Sequence, residues 1–346
     1  MNRKLAFQHS LVVCIGILAG AAALSTALGA TARAAEIVPF RTINMSPLAL
    51  IHPAPAAGSA RLLAPRETEV TLIADAANNF AVDSTANESV HLDGETYRVA
   101  LDLRYGVTPW FEAGIQVPFI GTSGGALDSF VEGFHKVFDF NNGDRDKYPQ
   151  DELLFSYHRD GTERLHYDDG GFGIGDVRLN AAVRLHEGTG ESRTSLALRG
   201  SLKLPTGESG RLRGSGGTDF ALWLTGSTDL PVGEWGHLTF FGAGGGMVMG
   251  DGDVLADQQR NAAGFGTLGF GWSPASWIAL KVQGDWHSAF YRASGLRELR
   301  TDTITITSGG TIAFSDRTAL DIGVVEDASV KTAPDVVFHL ALSHRF

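Results

Sequence analysis

Asp128, Ser129, Glu132 and His135 crowd into one short run of the chain. A serine, a histidine and an acid are the parts from which an acyl-transfer nucleophile is built. Their spacing speaks against that use: Ser129 and His135 are six residues apart, on opposed sides of a helix, and Ser129 does not stand in a G-x-S-x-G elbow. Asp251, Asp253 and Asp257 share a segment whose carboxylates suit calcium, and Asp139 to Asp146 is acid-rich but fails the EF-hand order of ligands. Such loops are usually just solvated, so no metal site is assigned. Gly171 to Gly175 and Gly242 to Gly246 do not make the G-x-G-x-x-G turn of a phosphate cradle and suit sheet curvature instead. No catalytic residue and no cofactor is expected.

A second set of residues has a more regular spacing. Arg98, Asp102, Arg104, Glu112, Arg178, Arg184, Arg199, Lys203, Lys281, Asp285 and Asp321, with Asp219, sit within segments that are otherwise apolar at every other position. If these faces share one inner surface, charges of both signs make a transverse field that screens solutes by charge and dipole. The other outcome is that they pair with one another and fill the lumen. The spacing leaves both open.

The elements that position this set have a period of two. Val99, Leu101, Leu103 and Tyr105 alternate with Arg98, Ala100, Asp102 and Arg104; Val177, Leu179, Ala181, Val183 and Leu185 alternate with Asp176, Arg178, Asn180 and Arg184. The closing stretch does the same, with Val336, Phe338, Leu340, Leu342 and Phe346 on one parity and Asp335, His339, Ser343 and Arg345 on the other. This is the pattern of strands with one apolar and one polar face. Short connectors at 106–110, 187–192, 231–236, 273–276 and 315–318 alternate with longer ones near 80–94, 121–174, 205–217, 250–258, 290–299 and 327–334. Short turns on one rim and long loops on the other are the habit of outer-membrane barrels. The sequence therefore predicts an all-β fold, a transmembrane antiparallel up-and-down β-barrel of about twelve strands over 67–346. The strand signal is weakest at 67–79 and 258–272. Aromatic residues at strand ends (Tyr105, Trp110, Phe119, Trp235, Trp272, Trp277 and Trp286) fit interfacial girdles and disfavour a secreted sandwich.

Within loop 121–174, Leu127, Phe130, Val131, Phe134, Val137 and Phe138 recur at helical spacing. They predict a short amphipathic helix, which either folds into the barrel mouth, with Asp128, Glu132 and His135 at a constriction, or lies on the outer rim. Residues 35–66, rich in Ala and Pro and without alternation, are expected at the periplasmic mouth or facing the lumen, as a partial hatch or a disordered segment.

Arg3 and Lys4, the apolar run Leu11 to Gly29 and Ala32-Arg33-Ala34 have the form of a cleaved export signal over 1–34. Cys14, the single cysteine, leaves with it, so neither disulfides nor thiolate metal sites are expected. The formal net charge of −11 becomes three units more negative without Arg3, Lys4 and Arg33. That balance argues against nucleic acid as a partner. Beyond the signal no run of about 18 uncharged apolar residues remains, so only a closed barrel could span a bilayer.

Several stretches together resemble the uncharacterised proteobacterial family known as domain of unknown function 3187. They are Asn44-x-x-Pro47-Leu48, Leu92 to Gly106, Ser123 to His135, Leu202 to Glu208, Glu326-Asp327 and Pro334 to Leu340. The similarity spans essentially the whole mature chain and implies an envelope barrel of the broad outer-membrane channel group; it supplies no activity. The expected role is passive passage of a small solute through a charged lumen, with no enzymatic step. A lipid-acyl hydrolase and a non-conducting structural or adhesion barrel are the alternatives. Expected partners are outer-membrane lipid and the barrel-assembly machinery, which recognises a C-terminal strand ending in an aromatic residue such as Phe346.

Overall fold

The computed structural model describes residues 36–125, 152–189, 192–328 and 332–346. Strands β1 (Thr68–Ser84), β2 (Glu88–Thr108) and β3 (Phe111–Ser123) are followed by three short ones, β4 (Leu154–Arg159), β5 (Thr162–Tyr167) and β6 (Gly171–Ile174). Then come β7 (Arg178–Glu187), β8 (Arg193–Lys203), β9 (Asp219–Pro231), β10 (His237–Met249), β11 (Ala262–Ala275) and β12 (Ile278–His287). The last are β13 (Thr303–Ala313), β14 (Thr318–Asp327) and β15 (Val336–Arg345).

Twelve of these close on themselves. Every neighbour pair is antiparallel, β3 passes directly to β7, and β15 returns to β1 in a register that runs from Glu69 opposite Arg345 to Asn78 opposite Val336. Closure removes the open edges that lipid would not tolerate. The remaining three strands extend the sheet at the long-loop rim: the β4–β5 hairpin pairs with the far end of β2, and β6 with the far end of β3. The weak stretch 67–79 supplies most of β1, and 258–272 supplies most of β11, which starts four residues later than the pattern suggested. The expected long connector at 80–94 is corrected: β1 and β2 stay paired through Ser84 and Ser89, and the turn between them is three residues long. Continuous cross-strand hydrogen bonding there outweighs the polar composition that reads as a loop.

The alternation sorts by face as a pleated strand demands. In β2, Val99, Leu101, Leu103 and Tyr105 are exposed, while Arg98, Ala100, Asp102 and Arg104 are buried. Leu72, Leu222, Leu224, Leu268, Phe270, Ile304, Leu340 and Leu342 continue the outer apolar band around the cylinder, and Trp110, Trp235, Phe314 and Phe346 mark its short-turn rim. Leu268 is the most exposed of the band, at 77%. Leu268→Arg should therefore cost about 2–4 kcal/mol when unfolding is measured from a bilayer; a cost near zero would mean that this face does not meet lipid.

The inside is filled by the chain's own N-terminal segment. Residues 36–66 neither block only the mouth nor stay loose: they rise through the lumen, turn at a single helical turn, α1 (Pro47–Leu50), and descend to β1. A cluster at the long-loop end packs Leu48, Ala49 and Ile51 at the turn against Phe155 and Tyr157 of β4 and against Leu212, Leu255, Phe290, Tyr291, Leu296 and Leu299 from the connecting segments. That apolar cluster packs across the lumen at the long-loop end.

Candidate functional site

The ascending arm of the segment lies against β12 in constant register. Lys281 Nζ donates to the Val38 carbonyl (3.1 Å) and the Phe40 N–H to Gln283 Oε1 (2.7 Å). Thr42 Oγ1 then donates to Asp285 (3.2 Å), Asn44 Nδ2 bonds His287 Nε2 (3.0 Å), and the Tyr291 hydroxyl donates to the Leu48 carbonyl (3.0 Å). All five contacts share a sequence offset of 243; for the first four this follows because an extended arm and a strand advance at the same rise per residue. Burial raises the Tyr291 phenol well above its ordinary pKa, which keeps it a donor. Tyr291 lies in the loop after β12, at the long-loop end.

The descending arm is gripped differently, chiefly by side chains of β7, β8 and β9 reaching its backbone carbonyls. Lys203 Nζ donates to Ile51 O (3.1 Å), Arg178 to Pro53 O, Trp223 Nε1 to Ala57 O (2.8 Å), and Arg199 to Ser59 O through Nε and Nη2 (2.9 and 2.6 Å). Gly58 at φ +70° lets the arm turn under Arg199, whose Nε would lie only 2.9 Å from an added Cβ. At the foot, the Arg66 N–H donates to the Gly106 carbonyl (2.7 Å). Gly106 permits this approach, since a Cβ there would meet Ala64 O at 2.0 Å.

Most charges of the wall are paired within the wall. Arg104 bridges Glu112 (2.6 Å) and Glu69 (2.8 Å), and Glu69 also takes Arg345 (2.8 Å). Asp75 holds Arg98 and lies against His339 Nδ1, both at 2.6 Å. Lys203 sits between Asp176 (2.7 Å) and Asp219 (3.0 Å), and Lys281 on Asp321 (2.9 Å). Among the described residues Asp285 accepts from neutral donors only, Thr267 (2.6 Å), Gln283 (2.8 Å) and Thr42 (3.2 Å). The segment adds ionic links of its own to the wall: Arg41 reaches Glu69 (2.7 Å) and Asp102 (3.2 Å), and Glu36 takes Arg345 (2.9 Å). His52 adds a further link from the segment, to Asp219 (3.3 Å).

Of the charges singled out by alternation, Arg98, Asp102, Arg104, Glu112, Arg178, Arg199, Lys203, Asp219, Lys281 and Asp321 are buried inside the barrel. Asp285 faces the same interior through Thr42 and Thr267. Arg184 stands apart near the short-turn rim, paired to Glu187 at 2.5 Å. Asp128, Glu132 and His135, with Ser129, lie outside the described residues, as do the export signal and the acid run 139–146. Asp251, Asp253 and Asp257 do not converge on a cation: they bond Asn261, Ser209 and Arg164 separately. Among the described residues, His91, Asp93 and Glu152 are the one acid–histidine group with ligand atoms within 4.8 Å of one another. Sequence reasoning missed Arg41, His52, Glu69 and Asp75. Glu69 and Asp75 lie on the weakest strand, and Arg41 and His52 in a segment with no period to read.

Two spaces adjoin the segment among the described residues. A vestibule of about 1020 Å³ opens at the short-turn rim and is lined by both feet of the segment and by Glu69, Arg104, Arg184 and Asp321. A smaller cavity of about 100 Å³ lies deeper, between the descending arm and β2, β3, β7 and β8. The two share Arg41, Gly58, Ser59 and Arg104 in their linings, so those four residues divide them.

Among solved structures, the COG4313 outer membrane channel from Pseudomonas putida F1 is similar in fold: 13% identity, TM-score 0.52, 83% of this chain and 98% of that one. The translocator domain of the autotransporter NalP from Neisseria meningitidis aligns at 8% identity and TM-score 0.37, over 82% of this chain and 90% of that one. The Ralstonia pickettii toluene transporter TbuX aligns at 12% identity and TM-score 0.31, over 82% and 90%. No curated protein matches. A family model described as a protein of unknown function (DUF3187) matches residues 17–346.

Proposed function

Taking as premise that the chain belongs to the DUF3187 family of proteins of unknown function, we propose that it is an outer-membrane channel for a small solute, with residues 36–66 as a plug that must shift before the solute passes. The observation that carries this reading is the division of labour in the lumen. The wall pairs its own charges, Arg104 with Glu112, Arg98 with Asp75 and Lys281 with Asp321, whether or not the plug is present. The descending arm of the plug is held largely through its backbone carbonyls, which water can replace on either partner. A conduit built this way survives the departure of its plug, whereas a core packed only for stability would lose its own ion pairs.

Transport is passive, with no covalent step and no cofactor. An export signal carries the chain to the periplasm, and the barrel-assembly machinery recognises β15 with Phe346 at its end. The lipid of the outer membrane meets the leucine band. The apolar cluster at the long-loop end makes the resting state a closed one, with the vestibule facing the periplasm.

Planar-bilayer recording tests this. The full mature chain should show little current, and a variant lacking residues 36–63 should conduct steadily. A deletion variant that folds, by circular dichroism and heat-modifiable migration, and yet passes no current would overturn the channel reading and leave a structural barrel.

A further inference from the structure

We infer that the small cavity beside the descending arm is a binding site for a small oxyanion, a carboxylate or a phosphate, and that such an anion is the class of solute the channel takes. The second half of this rests on the channel reading; the binding site does not.

The argument starts from the sign of the charge. The chain as a whole carries 39 acidic and 28 basic residues, and the vestibule is lined by seven of each sign. The inner cavity reverses the balance. Its lining contains Arg41, Arg98, Arg104, Arg178, Arg199 and Arg213 against only Asp102, Glu112 and Asp176. Those three acids are already committed: Glu112 to Arg104, Asp176 to Lys203, which stands outside the lining, and Asp102 to Arg41. The cations are not all answered. Arg178, 7% exposed, makes a single hydrogen bond among the described residues, to Pro53 O, and has no carboxylate within 4.0 Å. Arg199 spends two donors on one carbonyl, Ser59 O, and reaches Glu112 only at 3.4 Å.

A buried guanidinium answered by a carbonyl alone leaves a strong, directional demand for an anion. Its fork of donors matches the two oxygens of a carboxylate or phosphate. Low local dielectric strengthens that attraction and makes a neutral or cationic solute a poor substitute. The cavity has room for a small anion with a few waters. Its position matters as much as its chemistry, because Pro53 and Ser59 belong to the plug. An anion that takes Arg178 and Arg199 competes with the two carbonyls holding the descending arm, so binding favours withdrawal of the plug by the difference in its affinity for the two states.

The test has two arms. In detergent-solubilised full-length mature protein, inorganic phosphate and acetate are titrated while the fluorescence of Trp223, which lines the cavity, is followed; Trp223→Phe identifies its share of the signal. Saturable binding that weakens about tenfold or more in Arg178→Gln supports the site, and whichever probe binds tighter names the headgroup. No saturable response, or equal affinity in wild type and Arg178→Gln, overturns it. In the second arm, reversal potentials are read across a salt gradient for the variant lacking 36–63. Anion preference that falls in Arg178→Gln/Arg199→Gln on that background supports the solute class. Cation preference, or preference unmoved by the substitutions, refutes it while leaving the channel in place. Absence of any current in the second arm removes the channel reading alone, and the titration still decides the binding site.

Discussion

Asp75→Ala should cost about 3–5 kcal/mol of folding stability, the expectation for removing one partner from a buried ion pair. Asp75, Arg98 and His339 each expose 3% or less of their side chains. The carboxylate is the group that both others lean on, and Phe40 of the plug packs edge-on against the His339 ring at 6.0 Å. Truncation leaves Arg98 with a single carbonyl, Arg41 O at 2.9 Å, in a space the plug keeps from filling with water. Pairing the change with Arg98→Met should recover most of the loss, because two apolar side chains tolerate the site better than one stranded charge. Unfolding in denaturant from bilayers, followed by tryptophan fluorescence, measures both. In the variant lacking 36–63 the penalty of Asp75→Ala should shrink to about 1 kcal/mol or less, since a hydrated lumen screens the orphaned guanidinium. An equal penalty with and without the plug would mean that the plug does not keep the lumen dry.

On the proposed channel reading, Leu48→Asp should open the lumen. Leu48 sits at the apex of the plug, 4% exposed, inside the apolar cluster at the long-loop end. A carboxylate placed there without a partner loses its hydration in the closed state and regains it when the apex withdraws. If the closed state is penalised by about 3 kcal/mol, the open population rises on the order of a hundredfold. Leu48→Met keeps volume and polarity and should leave the current unchanged. Single-channel recording in planar bilayers reads the difference as open probability. Current from Leu48→Asp no greater than that of the wild type would place the gate elsewhere.

The contrast between β2 and the plug shows why one part of this molecule could be read from residues and the other could not. A barrel wall has lipid on one side and a polar interior on the other, so each of its strands repeats that difference in its own sequence. Arg98, Asp102 and Arg104 announced their face because Val99, Leu101 and Leu103 announced the opposite one. The even strand number and the short-turn rim follow from the same local rule. The turn at 85–87 was hidden because polar residues on a protruding hairpin resemble those of a loop, and only cross-strand pairing distinguishes them.

Residues 36–66 obey no such rule. They are surrounded by wall on every side, partly by charge and partly by apolar side chains, and so carry no period. Their seat depends on contacts far away in the chain, 243 residues off on the ascending arm and 140 for Arg199 with Ser59. Local alternation determined that a closed cylinder with a charged interior would form and which side chains would line it. Whether that interior is open, and which of its arginines lack an answering carboxylate, is decided by long-range packing of the plug, which leaves no trace in the pattern of neighbouring residues.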